Sequence, residues 1–159
     1  MRSPVDDSPV DLNTLLAALP ADSVLSDPDR MASYRWDRAN DPDAGMPVAV
    51  ARVSCTEDVQ AVVRFAARHR LPIVPRGAGT GLSGGSSAID GCIVVSTERM
   101  RAVVVDPVTR TATVQPGALN AEVKAAAAAH GLWYPPDPSS FEICSIGGNL
   151  ATTPAASAA

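Results

Sequence analysis

Hydrophobic positions in the stretch TEDVQAVVRFAARHR recur with the period of a helix. Val59, Val62, Val63, Ala66 and Ala67 fall at i, i+3, i+4, i+7 and i+8, which predicts one apolar stripe. Thr56 is placed to cap this helix. Glu57 and Asp58 suit the positive end of its dipole, and Arg68, His69 and Arg70 the negative end. A second helix is predicted over PGALNAEVKAAAAAHG. It starts at Leu119 or Asn120 and is closed by a left-handed Gly131 at C′. Nearer the N-terminus, Asp11 is positioned to cap a short helix carrying Leu12, Leu15, Leu16 and Leu19, which Pro20 stops. Residues 1–10 read as a mobile tail. Residues 21–46 read as a polar stretch with one short helix around RMASYRWD.

Short β-branched runs supply the strands: VAVARV (48–53), LPIVP (71–75), CIVVS (92–96), AVVVD (102–106) and TATVQ (111–115). The last two flank PVTR and predict a hairpin, in which Asp106-Pro107 is turn chemistry. LWYPPDPSS is expected to be extended, and SIGGNLAT to be a loop entering a helix. The order β-α-β-loop-β-β-β-α-loop is an α+β arrangement.

Composition narrows the picture. The 159 residues suffice for one domain with its own core, and with 46% hydrophobic but only 4% aromatic residues that core is aliphatic. A net charge of −4 argues against nucleic acid as a partner, because phosphate-backbone binding needs clustered Lys and Arg. No apolar run is long enough to span a bilayer. MRSPVDDSPVD is acidic and broken by proline, so no secretory signal is expected. Cys55, Cys92 and Cys144 are far apart and lie in no CxxC pair. They read as buried reduced thiols of a cytoplasmic protein.

The chemistry concentrates in PRGAGTGLSGG, residues 75–85, with five glycines in eleven residues. Gly79 and Gly84 have the spacing of a Walker A loop, but Gly85 stands where that loop requires lysine. Gly79-x-Gly81-x-x-Gly84 has the form of a dinucleotide fingerprint. The residues after it lead to a strand, whereas that fingerprint needs a helix whose N-terminus holds the pyrophosphate. A third reading is a nest, in which successive backbone N–H groups curl around a diphosphate that is held and not transferred. A plain glycine-rich turn stands beside it.

Four segments in register then carry a resemblance. LPIVPRGAGTGLSGGSS, VQPGALNAEV, GLWYPPDPSS and SIGGNLAT together resemble the FAD-binding domain of the vanillyl-alcohol oxidase / p-cresol methylhydroxylase (PCMH) superfamily. The nearest branch is that of glycolate oxidase flavoprotein subunits and D-lactate dehydrogenases. The resemblance runs from Pro47 to Thr152, after an N-terminal helical segment and linker over 1–46. It implies the N-terminal subdomain of a PCMH-type FAD-binding domain, truncated, with a small mixed sheet and flanking helices. It also implies FAD contacts at Arg76, Gly77, Ala78, Gly79, Thr80, Gly81, Ser83 and Gly84 of the first loop. Pro116, Gly117, Asp137, Ser140, Gly147, Gly148, Asn149, Ala151 and Thr152 carry over as further cofactor positions. Relatives that tether FAD use a histidine in this loop. Thr80 occupies the matching place, so noncovalent FAD is implied.

By the same resemblance the whole protein oxidises a 2-hydroxy acid of glycolate or D-lactate type by hydride transfer to flavin. It works in the cytoplasm or peripherally at a membrane, with other oxidase subunits as potential partners. The family's base, carboxylate-binding arginines and metal-binding histidines belong to a later cap domain, so this chain is expected to carry no catalytic residue and no metal ligand. Two other readings stand beside this one: a noncatalytic nucleotide-binding or subunit-interaction module, and a nonfunctional fragment.

Several side chains keep two readings. Arg76 either balances phosphate charge or faces solvent. Asp137 is an acidic site residue or an Asx turn. Trp133 and Tyr134 are packing residues or line the flavin site. His69 and His130 sit near helix ends with no paired nucleophile, which favours dipole chemistry over catalysis. After Thr152 the branch usually continues Asn-Ala-Gly-Gly-Leu-Cys-Cys, where this chain has Thr-Pro-Ala-Ala-Ser-Ala-Ala. Deleting one base from GC-rich codons for the first string yields the second. A frameshift is therefore expected at 153–159, leaving the FAD site incomplete and apolar faces exposed.

Overall fold

The computed structural model describes residues 10–152; the expectations for residues 1–9 and for 153–159 lie outside the described residues. Helix α1 (Asn13–Ala18) is followed by the two-residue strand β1 (Val24–Leu25), which the hydrophobic pattern did not reveal. Asp11 accepts the N–H of Asn13 at 2.9 Å, although Leu12 holds the N-cap position. The stretch expected to form a helix around RMASYRWD divides in two. A single turn, α2 (Pro28–Met31), is capped by Asp27, and a 3-10 turn follows over Ala32–Tyr34.

Strand β2 (Ala49–Arg52), helix α3 (Thr56–His69), strand β3 (Ile73–Arg76) and strand β4 (Ile93–Ser96) build the main sheet. Its order is β1-β2-β4-β3, with β2 and β3 both parallel to β4 and β1 antiparallel at the edge. All four residues of the central strand β4 are buried, as a parallel strand covered on both faces must be. Alternation then divides its side chains. Ile93 and Val95 join Leu15, Val62, Phe65 and Ala66 under α1 and α3. Cys92 and Val94 join Leu25, Met31 and Val74 on the other face. Cys92 and Cys144 are buried free thiols, and Cys55 is half-buried. Among the described residues, no helix is long and apolar enough to cross a membrane.

Helix α3 is rotated from the face its sequence predicts. Val62, Phe65 and Ala66 are buried, whereas Val63 is 45% exposed and Ala67 also faces out. Phe65 has the largest apolar side chain of the helix, and its burial turns Val63 and Ala67 away from the sheet. Cys55, not Thr56, is the N-cap. The N-terminal anchor is Asp58, whose carboxylate accepts the N–H of Ser54 at 2.8 Å and its hydroxyl at 2.7 Å. At the other end Arg70 closes the helix in the left-handed conformation.

Strands β5 (Val103–Asp106) and β6 (Thr111–Val114) form the expected hairpin as a separate two-stranded sheet. Asp106 accepts the N–H groups of Val108 and Thr109, the turn chemistry its sequence suggests. Helix α4 (Asn120–Ala128) begins after Leu119, whose N–H is taken by Glu122 at 2.8 Å. Gly131 is left-handed as expected, though two residues past the C-cap Ala129, not at C′. Helix α5 (Ile146–Thr152) starts inside SIGGNLAT, so the motif forms the helix itself and does not merely lead to one.

Burial raises the Asp58 pKa, but the hydrogen bonds from Ser54 and Cys55 outweigh it and leave the group below the ordinary carboxylate value. Its stabilising contribution is therefore present above the unfolded-state pKa and lost as pH falls through the lowered folded value. Asp58→Asn is expected to cost about 1 kcal/mol at pH 7, read by urea denaturation. The gap between wild type and variant should close on acidification below about pH 4.

Candidate functional site: the glycine loop and its supports

The parallel strands deliver their carboxyl ends to one edge of the sheet. Arg52 and Arg76 both stand in register with Ser96 there. The glycine loop leaves β3 at this edge, the side on which open parallel sheets place their ligands. Two other segments meet it. Ala78 donates its N–H to the hydroxyl of Ser145 at 3.1 Å. Gly147 donates to the carbonyl of Pro116 at 2.9 Å, and Ile146 to that of Ala118 at 2.9 Å. Gly117 in turn donates to Met100 at 2.8 Å, and Asn120 to Cys144 at 3.0 Å. Ser145 is 2% exposed and is the hub of the contact. Gly77 has no room for a side chain, because its Cβ would occupy the place of the Ser145 hydroxyl and lie 3.7 Å from the Gly148 nitrogen. Gly77, Ala78, Pro116, Gly117, Gly147 and Gly148 are thus one structural region.

Within the loop, the N–H groups of Gly79 through Gly85 donate to no carbonyl or side chain among the described residues. The loop's carbonyls are used instead. Gly81 accepts from Arg38 at 3.0 Å and Gly84 from Ser87 at 3.0 Å. Gly79 has φ +68°, and Gly84 shares this left-handed backbone. The loop joins strand to strand with no helix between, as its sequence suggests. Seven successive unpaired donors on a curved backbone suit a diphosphate, which supplies several acceptor oxygens and needs no lysine.

Arg76 is half-buried and engages the chain segment that precedes β2. One terminal nitrogen donates to the Trp36 carbonyl at 2.9 Å and the other to the Ser33 carbonyl at 3.2 Å. The guanidinium also lies 5.8 Å from the centre of the Tyr34 ring. Burial lowers its pKa, while the charge of Asp37 opposes that shift. Asp37 is itself buried and accepts the N–H of Ala39 at 2.9 Å.

The remaining expected residues lie further along. Asp137 is exposed and pairs with Lys124 of α4 at 2.7 Å, which ties the proline-rich segment to the helix. The Ser140 carbonyl accepts the N–H groups of Ile143 and Cys144, closing a turn just before α5. In α5, Asn149 is buried with its Nδ2 unpartnered. Ala151 and Thr152 are exposed, and Thr152 returns its hydroxyl to the Gly148 carbonyl at 2.9 Å. The exposed Trp133 and half-buried Tyr134 line an apolar groove of about 610 Å³ with Val114, Ile146 and Leu150. The ring of His69 lies 4.4 Å from that of Phe65. Ser145, Asp37 and Arg38 escaped the sequence reading. Ser145 stands at the head of a quoted motif, but its partner Ala78 is distant in the chain, and nothing in the polar stretch around Asp37 marks it.

Gly77→Ala is expected to destabilise the chain by about 1–3 kcal/mol, since the methyl displaces the Ser145 hydroxyl. Adding Ser145→Ala should recover part of that loss, because the new methyl would then meet nothing nearer than the Cβ of residue 145 at 3.5 Å. The midpoints of urea denaturation for the two single variants and the double variant measure this coupling.

Comparison with known proteins gives the family and the fold. Residues 47–158 match the model of a family described as FAD binding domain. The chain is 42% identical over 118 residues to glycolate oxidase subunit GlcD of Bacillus subtilis, covering 74% of this chain and 25% of that protein. It is 41% identical over 142 residues to D-2-hydroxyglutarate dehydrogenase of Xanthomonas citri pv. viticola, covering 87% of this chain and 29% of that one. The chain therefore spans little more than a quarter of the length of these relatives. In fold it is similar to p-cresol methylhydroxylase with substrate bound, with a TM-score of 0.75 at 24% identity, covering 87% of this chain and 28% of that structure. By its match over residues 47–158 the chain belongs to the FAD binding domain family, and glycolate oxidase subunit GlcD and D-2-hydroxyglutarate dehydrogenase are among its relatives.

Proposed function

We propose that this chain holds the diphosphate of noncovalent FAD in the loop from Gly77 to Gly84, as the first part of the cofactor domain of an oxidoreductase. The observation that carries the reading is the run of unpaired N–H groups from Gly79 to Gly85, on a loop pinned from outside by Ser145 and Arg38. Arg76, Gly77, Ala78, Gly79, Thr80, Gly81, Ser83 and Gly84 form or support the cradle. Pro116, Gly117, Gly147 and Gly148 close against it. The free Nδ2 of Asn149 offers a further donor. Ala151 and Thr152 continue that face, while Asp137 and Ser140 shape the approach from the proline-rich segment. Residues 47–152 make up this cofactor unit, with 1–46 preceding it; the family match itself runs on to residue 158.

Bound flavin would supply the redox chemistry, accepting a hydride, while the residues here supply binding and orientation. For the whole protein the substrate class is a small 2-hydroxy acid of glycolate, D-lactate or D-2-hydroxyglutarate type. Other oxidase subunits are inferred as partners, and a cytoplasmic or membrane-peripheral setting as the location. The similarity to glycolate oxidase and D-2-hydroxyglutarate dehydrogenase supports this assignment.

Titration of the purified, folded chain with FAD, ADP and AMP tests the reading. FAD and ADP should bind saturably, with AMP weaker than ADP by about tenfold or more because it lacks the second phosphate that charge-assisted N–H bonds would hold. Equal affinity for ADP and AMP would overturn the diphosphate assignment. Binding of ADP with no added affinity for FAD would favour a noncatalytic nucleotide-binding module.

A further inference from the structure

We propose that Arg76 is a positioning residue: it fastens the mouth of the glycine loop to the chain segment that precedes the family-matched region, and so keeps the N–H array in shape before any ligand arrives. The proposal rests on the diphosphate reading above and assigns the residues that pre-form its site.

A phosphate-binding arginine would be expected to aim its terminal nitrogens at the anion. Here each terminal nitrogen already donates to a backbone carbonyl, one of Trp36 and one of Ser33. The planar fork of guanidinium suits two such acceptors at once, with Tyr34 beneath it. Gly79 then packs directly on the guanidinium, where any Cβ would meet its terminal nitrogen and central carbon. The left-handed turn at Gly79 is therefore moulded around Arg76. Three further contacts close the same seam. Arg38 donates to the Gly81 carbonyl at 3.0 Å, Ala88 donates to the Arg35 carbonyl at 2.7 Å, and the Asp37 carboxylate would lie 3.4 Å from a Cβ on Gly81. Residues 33–38 thus form the outer wall of the loop, although they lie ahead of the matched stretch 47–158. None of these contacts uses the N–H groups of Gly79 to Gly85. A loop held in this way loses less conformational freedom when it binds.

The test uses the full chain with Arg76→Lys and Arg76→Met. Residue-resolved hydrogen exchange on ligand-free protein follows the amides of Arg38, Ser87 and Ala88, with Val94 and Val95 of β4 as the fold reference. ADP titration follows affinity. Both Arg76 variants should speed exchange at the three seam amides by about tenfold or more with β4 unchanged. Both should also weaken ADP, with lysine failing to rescue because one ammonium cannot span both carbonyls. Unchanged seam exchange overturns the proposal. So does rescue by lysine, which would mark Arg76 as a direct charge partner of phosphate. Faster seam exchange with unchanged ADP affinity also overturns it, since the clamp would then serve the fold alone. If Arg76→Met also opens β4, Arg76→Lys, which keeps the charge and the aliphatic stem, reports the same outcomes. A wild-type chain that binds no ADP sinks the diphosphate reading, while the exchange measurement still decides whether Arg76 fastens the loop.

Discussion

The structure turns on one constraint: a loop whose backbone N–H groups stay unspent cannot use them to hold itself together. Ordinary loops close on their own amides. In the stretch from Gly79 to Gly85 those amides find no partner among the described residues, so rigidity has to be imported. It comes through the carbonyls of Gly81 and Gly84, through the Ser145 hydroxyl at the loop's first turn, and through the guanidinium of Arg76. Each support comes from elsewhere in the chain, or uses a group other than those N–H groups.

That requirement explains the arrangement of the sheet. Placing β4 between β2 and β3 brings Arg52, Ser96 and Arg76 to the same edge. The long connection from β3 to β4 must cross that edge, and the glycine loop is the part that does so. The chain then returns through the hairpin and α4, whose first turn hydrogen-bonds to the residues just before α5. Ser145 lands under Gly77 as a result. The glycines here answer to two different demands: Gly77 yields space to a hydroxyl, whereas Gly79 adopts a backbone that fits the arginine beside it.

Much of the fold was legible from local pattern. The β2-α3-β3 order, the hairpin around Asp106 and the start of α4 follow from period, propensity and turn chemistry, which act over a few residues. The misreadings share a cause. Val63 and Ala67 lie on a plausible stripe of α3, but burial of Phe65 against the sheet chose another face. Strand β1 has two residues and exists only because β2 offers an edge to pair with. Asp58 outranks Thr56 at the start of α3 because its carboxylate can turn back on Ser54, a geometry that single-residue preference does not encode.

For the site, the sequence pointed to the kind of ligand through the resemblance that its four motifs carry. Closely spaced glycines without a following lysine or helix point to a held diphosphate, and four motifs in order point to FAD. Those signals are local, because backbone curvature and the absence of side chains are written residue by residue. Tertiary structure decided who supports the loop. Arg76, read from sequence as a phosphate partner or a solvent-facing charge, reaches the carbonyls of Ser33 and Trp36, some forty residues away in the chain. Ser145 reaches Ala78 from still further. Such pairings depend on how the sheet brings distant segments together, and no property of either segment by itself contains them.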